Sequence, residues 1–341
     1  MRAHDLGIRI GRLEPGARDA ITDVDGVLVG QTTVVQGTDV RTGVTVVLPP
    51  ELPLFAGCHR LNGNGELTGL EWVRESGFLT SPIGITNTFS VGVVRDAIAA
   101  ESADDDAWSL PVVGETYDGF LNDAKGQHVT AAHAKSALSS AASGPVAEGN
   151  VGGGTGMICH GFKGGIGTAS RRAGDYVVGL LVQANHGRRP RFRVSGVPVG
   201  ERIGDRIPLP SNGLLQSQAG AGSIIGIVAT DAPLLPHQCD RLAQRAGLGV
   251  ARMGGLGENS SGDIFFAFAS GNRGLGGTEA AFELSMLPNE QLDVLFEAVV
   301  DATEESILNA LLAAETMAGR AGHTAYALEP ELLLQALATR A

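Results

Sequence analysis

The run Gln218-Ala219-Gly220-Ala221-Gly222-Ser223-Ile224-Ile225 ends a small, flexible loop in a hydroxyl that opens an apolar strand. A glycine in front of serine gives the backbone room to strain, so that the hydroxyl can reach the preceding carbonyl. Such an attack would break the chain between Gly222 and Ser223 and leave a serine carrying a free amine. Taken alone, the junction also reads as a plain turn before a strand.

Three further stretches carry chemistry-bearing side chains. In Glu258-Asn259-Ser260-Ser261-Gly262-Asp263, Ser261 and Asp263 stand two apart on an extended segment and so share a face, although Asn and Ser there also make an ordinary capped turn. In Gly114-Glu115-Thr116-Tyr117-Asp118-Gly119, acids flank a phenol. Such a cluster is commonly a solvated loop, but Glu115 is also suited to holding a substrate ammonium through a charge-assisted hydrogen bond. The glycine runs at 149–156 and 161–168 could offer successive amides to an anion. They match neither the G-x-G-x-x-G fingerprint nor a P-loop, so close backbone packing around a site is the better reading.

Other chemistries find little support. The eight histidines never form H-E-x-x-H, and His128 and His133 lie five apart, a poor match to one helical face. Cys58, Cys159 and Cys239 make no C-x-x-C pair and read as buried thiols. No metal or other cofactor is therefore expected. A net charge of -12, from 37 acidic and 25 basic residues without a basic stripe, argues against a nucleic-acid partner. No segment has the apolar run of a signal peptide or membrane helix, so the expectation is a cytoplasmic protein with no membrane partner.

The elements that must position these residues alternate. Short strands are predicted at 43–48 and 83–88, with a helix at 69–77 between them that a glycine stops. Segments 176–184, 223–230 and 263–269 are apolar on both faces, as strands inside layers are. Helices are predicted at 236–247 and across 288–316, where Leu292, Leu295, Phe296, Val299 and Val300 keep helical spacing. Residues 103–106 and the proline-rich 188–212 read as surface loops. With 49 glycines and 43% hydrophobic residues among 341, the composition is that of an α/β protein with sheets covered by helices.

Taken together, 69–92, 115–129, 149–171, 182–185, 223–238 and 259–268 resemble the L-aminopeptidase/D-amino-acid esterase-amidases and β-peptidyl aminopeptidases, across most of the chain. The resemblance implies a four-layer αββα sandwich similar to N-terminal-nucleophile hydrolases but with different connectivity. It implies one catalytic domain, 1–341, cut into 1–222 and 223–341. It casts Ser223 as nucleophile, Ser261 and Asp263 as its polar support, Asn185 as oxyanion donor, Tyr117 as a second active-site hydroxyl and Glu115 as the amine anchor. Asp263 departs from the family pattern, which has a glutamate there. The implied substrates are peptides, amides or esters with a free amino end, and the implied assembly is a homotetramer of processed protomers.

The residues fit a base of that kind. No G-x-S-x-G elbow is present, whereas a free α-amine, with a reference pKa of about 7.7 to 8.0, can take the serine proton directly or through Ser261. Two other readings remain at this stage: an N-acyl transferase of the ornithine-acetyltransferase type, and a binding protein that kept the fold without the chemistry.

Overall fold

The computed structural model describes residues 1–101, 109–210, 222–278 and 280–338. The expected loop at 103–106 and residues 218–221 of the glycine-rich loop lie outside the described residues. In chain order the strands are β1 (Leu28–Gln36), β2 (Val40–Leu48), β3 (Leu54–Gly63), β4 (Phe78–Leu79), β5 (Ile83–Asn87), β6 (Val112–Thr116), β7 (Ile158–Cys159) and β8 (Phe162–Lys163). They continue with β9 (Gly165–Ala173), β10 (Tyr176–Asn185), β11 (Ser223–Thr230), β12 (Gly262–Ala269), β13 (Met317–Ala318) and β14 (Thr324–Ala325).

Four strands form one sheet in the order β1-β2-β5-β6, and six form another in the order β4-β3-β12-β11-β10-β9. The two-residue strands β7 and β8 pair with each other, as do β13 and β14. Because successive side chains on a strand point to opposite faces, the burial pattern shows how the layers stack. From the larger sheet, Leu181, Ile225, Ile227, Phe266 and Phe268 join Val47, Ile83 and Ile85 of the smaller one in a core between the sheets. Their sequence neighbours Leu180, Val182, Ile224, Val228, Phe265 and Ala267 face the other way, against the Pro236–Arg252 and Asp293–Ala313 helices. On the far side, Val44, Val46 and Val113 meet the Val91–Ala100 and Ala131–Ser139 helices. The result is the αββα sandwich expected from the sequence, with both faces of every central strand apolar because both are covered.

Strands β11 and β12 are parallel neighbours, a pairing that requires a crossover connection. The Pro236–Arg252 helix supplies it. The predicted helix across 288–316 is shorter, Asp293–Ala313, preceded by a tight turn at Asn289–Gln291. The expectation of a surface loop at 188–212 is overturned for its described part. Phe192, Val194, Val199, Ile203 and Ile207 are buried in the helix-side core. The prolines mark turns, but the apolar residues between them have enough area to be drawn inside. The guanidinium of Arg189 ties the segment down, donating to the Ile207 and Gly161 carbonyls and lying 3.9 Å from the centre of the Phe162 ring.

Candidate active site

Register decides what stands beside Ser223. In the antiparallel β10/β11 pair, Asn185, the last residue of β10, faces Ser223, the first of β11. By alternation both side chains point into the layer between the sheets, on the face of Leu181, Ile225 and Ile227. In the parallel β11/β12 pair Ile224 faces Asp263, so Gly262 comes alongside Ser223 and its N–H donates to Ser223 Oγ at 3.1 Å. Gly222 is pressed on its neighbour strand: a methyl group there would lie 2.0 Å from the Asn185 carbonyl oxygen. Only glycine fits without moving that strand end.

The Asn185 amide is held at both ends. Its Oδ1 accepts from the Ile158 N–H at 2.8 Å, and its Nδ2 donates to the Tyr117 carbonyl at 3.0 Å. The second N–H of the amide is suited to a developing oxyanion. Tyr117 therefore enters this arrangement through its backbone. Its ring is 45% exposed, with the hydroxyl beside the Gly119 Cα.

Ser261 and Asp263 form the pair that strand alternation predicts: the Ser261 hydroxyl donates to Asp263 Oδ1 at 2.6 Å, with both side chains buried. Burial pushes the Asp263 carboxyl up to about 6, against the opposing effect of the Ser261 hydroxyl and the Ile224 N–H. In this uncut chain the pair reaches Ser223 through the backbone amides of Gly262 and Ile224, since Ser261 is bonded to Asp263.

Glu115 enters from the smaller sheet. It lies on β6 opposite Thr86 of β5. Its Oε1 accepts from the Glu66 N–H at 3.1 Å, and its Oε2 accepts from the Thr88 hydroxyl. Burial raises its pKa, while the Thr88 bond works the other way. A methyl on Gly65 would lie 3.0 Å from the Gly262 Cα and 3.1 Å from Glu115 Oε1. Gly65 thus stands between the carboxylate and Gly262, the residue that contacts Ser223. A cleft lined by Gly63, Gly65, Leu67, Trp72 and Ile264 runs beside this contact.

The fold brings Ser223, Asn185, Ser261 and Asp263 to one end of the central strands of the larger sheet and sets Glu115 across from them. Sequence reading missed Thr88, Gly65, Gly262 and the Ile158 amide, which act through contacts between segments far apart in the chain. The glycine runs serve packing, as expected: Gly153 lies against the Gln183 side chain, and buried Lys163 donates to the Gly164 carbonyl at 2.8 Å and the Gly154 carbonyl at 3.3 Å. Among the described residues the clusters that could hold a metal ion are Cys159, His160 and His186, and His4, Asp19 and Glu305, none of them a predicted catalytic residue.

Comparison with known proteins identifies the family. Residues 19–325 match peptidase family S58. The chain is similar to the β-peptidyl aminopeptidase BapA of Sphingosinicella microcystinivorans, at 49% identity over 95% of this chain and 88% of that protein. It is 42% identical to the BapA of Sphingosinicella xenopeptidilytica, over 99% and 91%. Among solved structures, a Burkholderia sp. β-aminopeptidase superimposes with a TM-score of 0.92 at 52% identity, covering 100% of both chains. The L-aminopeptidase D-Ala-esterase/amidase of Ochrobactrum anthropi, described as a new variant among the Ntn hydrolase folds, gives 0.89 at 44% identity, covering 98% of each.

Proposed function

The chain belongs to peptidase family S58 and is an aminopeptidase of the serine type, and we propose that it matures by cutting its own backbone between Gly222 and Ser223. The observation that supports this is the seating of the junction. Gly222 is wedged against the Asn185 carbonyl, and Ser223 Oγ is fixed by the Gly262 N–H at the mouth of a buried strand. In the proposed cut, Ser223 Oγ bonds to the Gly222 carbonyl carbon, the C–N bond breaks with proton transfer to the nitrogen, and water hydrolyses the resulting ester. Residues 1–222 and 223–341 then remain together as one catalytic domain.

The freed α-amine of Ser223 accepts the hydroxyl proton, directly or through Ser261 held by Asp263. Ser223 Oγ attacks the substrate carbonyl, and the second N–H of Asn185 and nearby backbone amides meet the oxyanion. The departing amine takes up the proton, and water releases the acyl group. Glu115 holds the substrate ammonium, and Tyr117 serves as a second active-site hydroxyl. Peptides, amides and esters with a free amino end are the proposed substrates. β-Aminoacyl peptides come first among them, because relatives at 49% and 52% identity are named a β-peptidyl aminopeptidase and a β-aminopeptidase. A homotetramer of processed protomers in the cytoplasm completes the proposal. Among the described residues no helix is long and apolar enough to cross a membrane. The peptidase relatives disfavour the acyl-transferase reading.

Intact-mass spectrometry of freshly purified protein tests the cut. Wild type should yield chains of 222 and 119 residues, and Ser223→Ala a single whole chain. A wild type that stays whole removes the free-amine base and overturns the proposal.

A further inference from the structure

The β9/β10 hairpin pairs Gly165 with Ala184, so the residues before 165 lie beside those after 184. The His160 N–H closes this junction by donating to the His186 carbonyl at 2.7 Å. Three side chains meet as a result. Cys159, His160 and His186 are all buried, and their ligand atoms lie within 4.8 Å of one another. The two imidazoles stand edge to face with centroids 5.0 Å apart. The backbone bends to allow this: His160 has φ +50, and a methyl at Gly187 would lie 2.3 Å from the His160 ring. A left-handed conformation is uncommon for a residue other than glycine.

The orientation of the donors suits a metal. The Nδ1 of His160 faces the Arg188 carbonyl at 3.5 Å. That arrangement places its proton there and leaves Nε2 for an ion, as in many sites where a ligand histidine is oriented from behind. The Nε2 atom of His160 is buried without a hydrogen-bond partner, a condition that calls for an explanation in a native interior. Spacing points the same way. A tetrahedral zinc ion with bonds of about 2.3 Å to sulfur and about 2.0–2.1 Å to nitrogen holds the two roughly 3.6 Å apart, and Cys159 Sγ and His186 Nδ1 are 3.7 Å apart.

We propose that Cys159, His160 and His186 bind one divalent transition-metal ion of the zinc class. Binding displaces the thiol proton, forming a metal–thiolate bond and releasing one proton to solvent. No fourth His, Cys, Asp or Glu among the described residues joins the cluster, so a water completes the tetrahedron. The site departs from the absence of metal expected from the sequence, where Cys159 and His186 lie 27 residues apart. It is independent of the peptidase reading: alternation along β10 turns His186 to the helix side of the sheet, where it meets Gly255, while Asn185 faces the other layer.

The test is titration of chelator-treated protein with Co2+ and then Zn2+, followed by absorption spectroscopy and by metal analysis. The expected result is one ion per chain and a thiolate-to-cobalt charge-transfer band that Zn2+ abolishes. Cys159→Ser should remove the band and weaken Zn2+ binding by at least about 100-fold, while Cys58→Ser leaves both unchanged. Should Cys159→Ser fail to fold by circular dichroism, His186→Gln serves, with the same loss of affinity expected. No band in wild type, or a band that survives Cys159→Ser or follows Cys58, overturns the site and leaves a dry thiol–imidazole hydrogen bond in its place.

Discussion

Asn185 and Ser223 are Cα partners at the ends of two adjacent interior strands of the larger sheet, the last residue of one strand facing the first of the next. The peptide bond proposed to break therefore sits against the residue proposed to stabilise its oxyanion. Gly222 transmits that contact, since a methyl there would fall 2.0 Å from the Asn185 carbonyl oxygen. A backbone atom cannot rotate aside as a side chain can, so Gly222→Ala must push the two strand ends apart. Displacement near 1 Å in a reacting pair can cost about 100-fold in rate. Gly222→Ala is expected to fold with the wild-type circular dichroism spectrum yet self-cleave at least about 100-fold more slowly, measured by intact mass over time. Cleavage at the wild-type rate would show that the close approach is irrelevant to the reaction.

Asn185→Ala removes the proposed oxyanion donor and leaves the Ile158 N–H and the Tyr117 carbonyl without their partner. If the second N–H acts only in the transition state, kcat should fall about 100- to 1000-fold with little change in KM. Steady-state kinetics on an aminoacyl amide, using protein that has already been cut, distinguishes this from a loss of substrate binding, which would raise KM and spare kcat.

Glu115 differs from Asn185 in acting on the substrate's charge. Glu115→Gln keeps the shape and the bond from the Glu66 N–H, reverses the Thr88 bond and deletes the anion, and a charge-assisted hydrogen bond of roughly 1.5–3 kcal/mol corresponds to a rise in KM of about 10- to 100-fold. Thr88 donates to Glu115 Oε2 and positions the carboxylate, so Thr88→Val should raise KM by a smaller factor. The informative control is an ester without an amino group, which wild type and Glu115→Gln should hydrolyse at similar rates. A variant that loses both activities together has a damaged site instead of a missing anchor.

Much of this arrangement is legible in the sequence, for identifiable reasons. The Ser261–Asp263 contact follows from two-residue alternation on a strand, and Ser223 is conspicuous because a hydroxyl opens an otherwise apolar run. The layers are legible because 176–184, 223–230 and 263–269 carry apolar residues on both faces. Thr88 and Gly65 meet Glu115 only once the smaller sheet has assembled and β3 has turned back toward β6. No local period encodes such a contact. The core residues at 192–207 were hidden by prolines that correctly mark turns but say nothing about where the intervening side chains go. Cys159 and His186 become neighbours through the register of a hairpin, which neither residue reveals alone.

Asp263 gives the arrangement its pH dependence. Burial raises its carboxyl from 3.8 to about 6 in the uncut chain, so the folded state binds the proton more tightly than the unfolded state does. For a raised carboxyl, the stabilisation is fully present below about pH 4 and is lost as pH climbs through about 6, roughly 3 kcal/mol in all. Reactivity runs the opposite way. The carboxylate accepts the Ser261 hydroxyl more strongly than the neutral acid does and better prepares that oxygen to relay a proton, so self-cleavage of freshly folded chain should increase through about pH 6 while stability declines. Asp263→Asn removes both trends. Its cleavage should be slow and flat between about pH 4 and 8, and its melting temperature should fall less than that of wild type over the same range. If the variant keeps the acid limb, another group titrates there. Glu115 is then the next to replace, since its carboxyl is also raised by burial. If the limb disappears but the rate at high pH is unchanged, the Asp263 anion is not needed for the cut, and Ser261 takes no part in moving the proton.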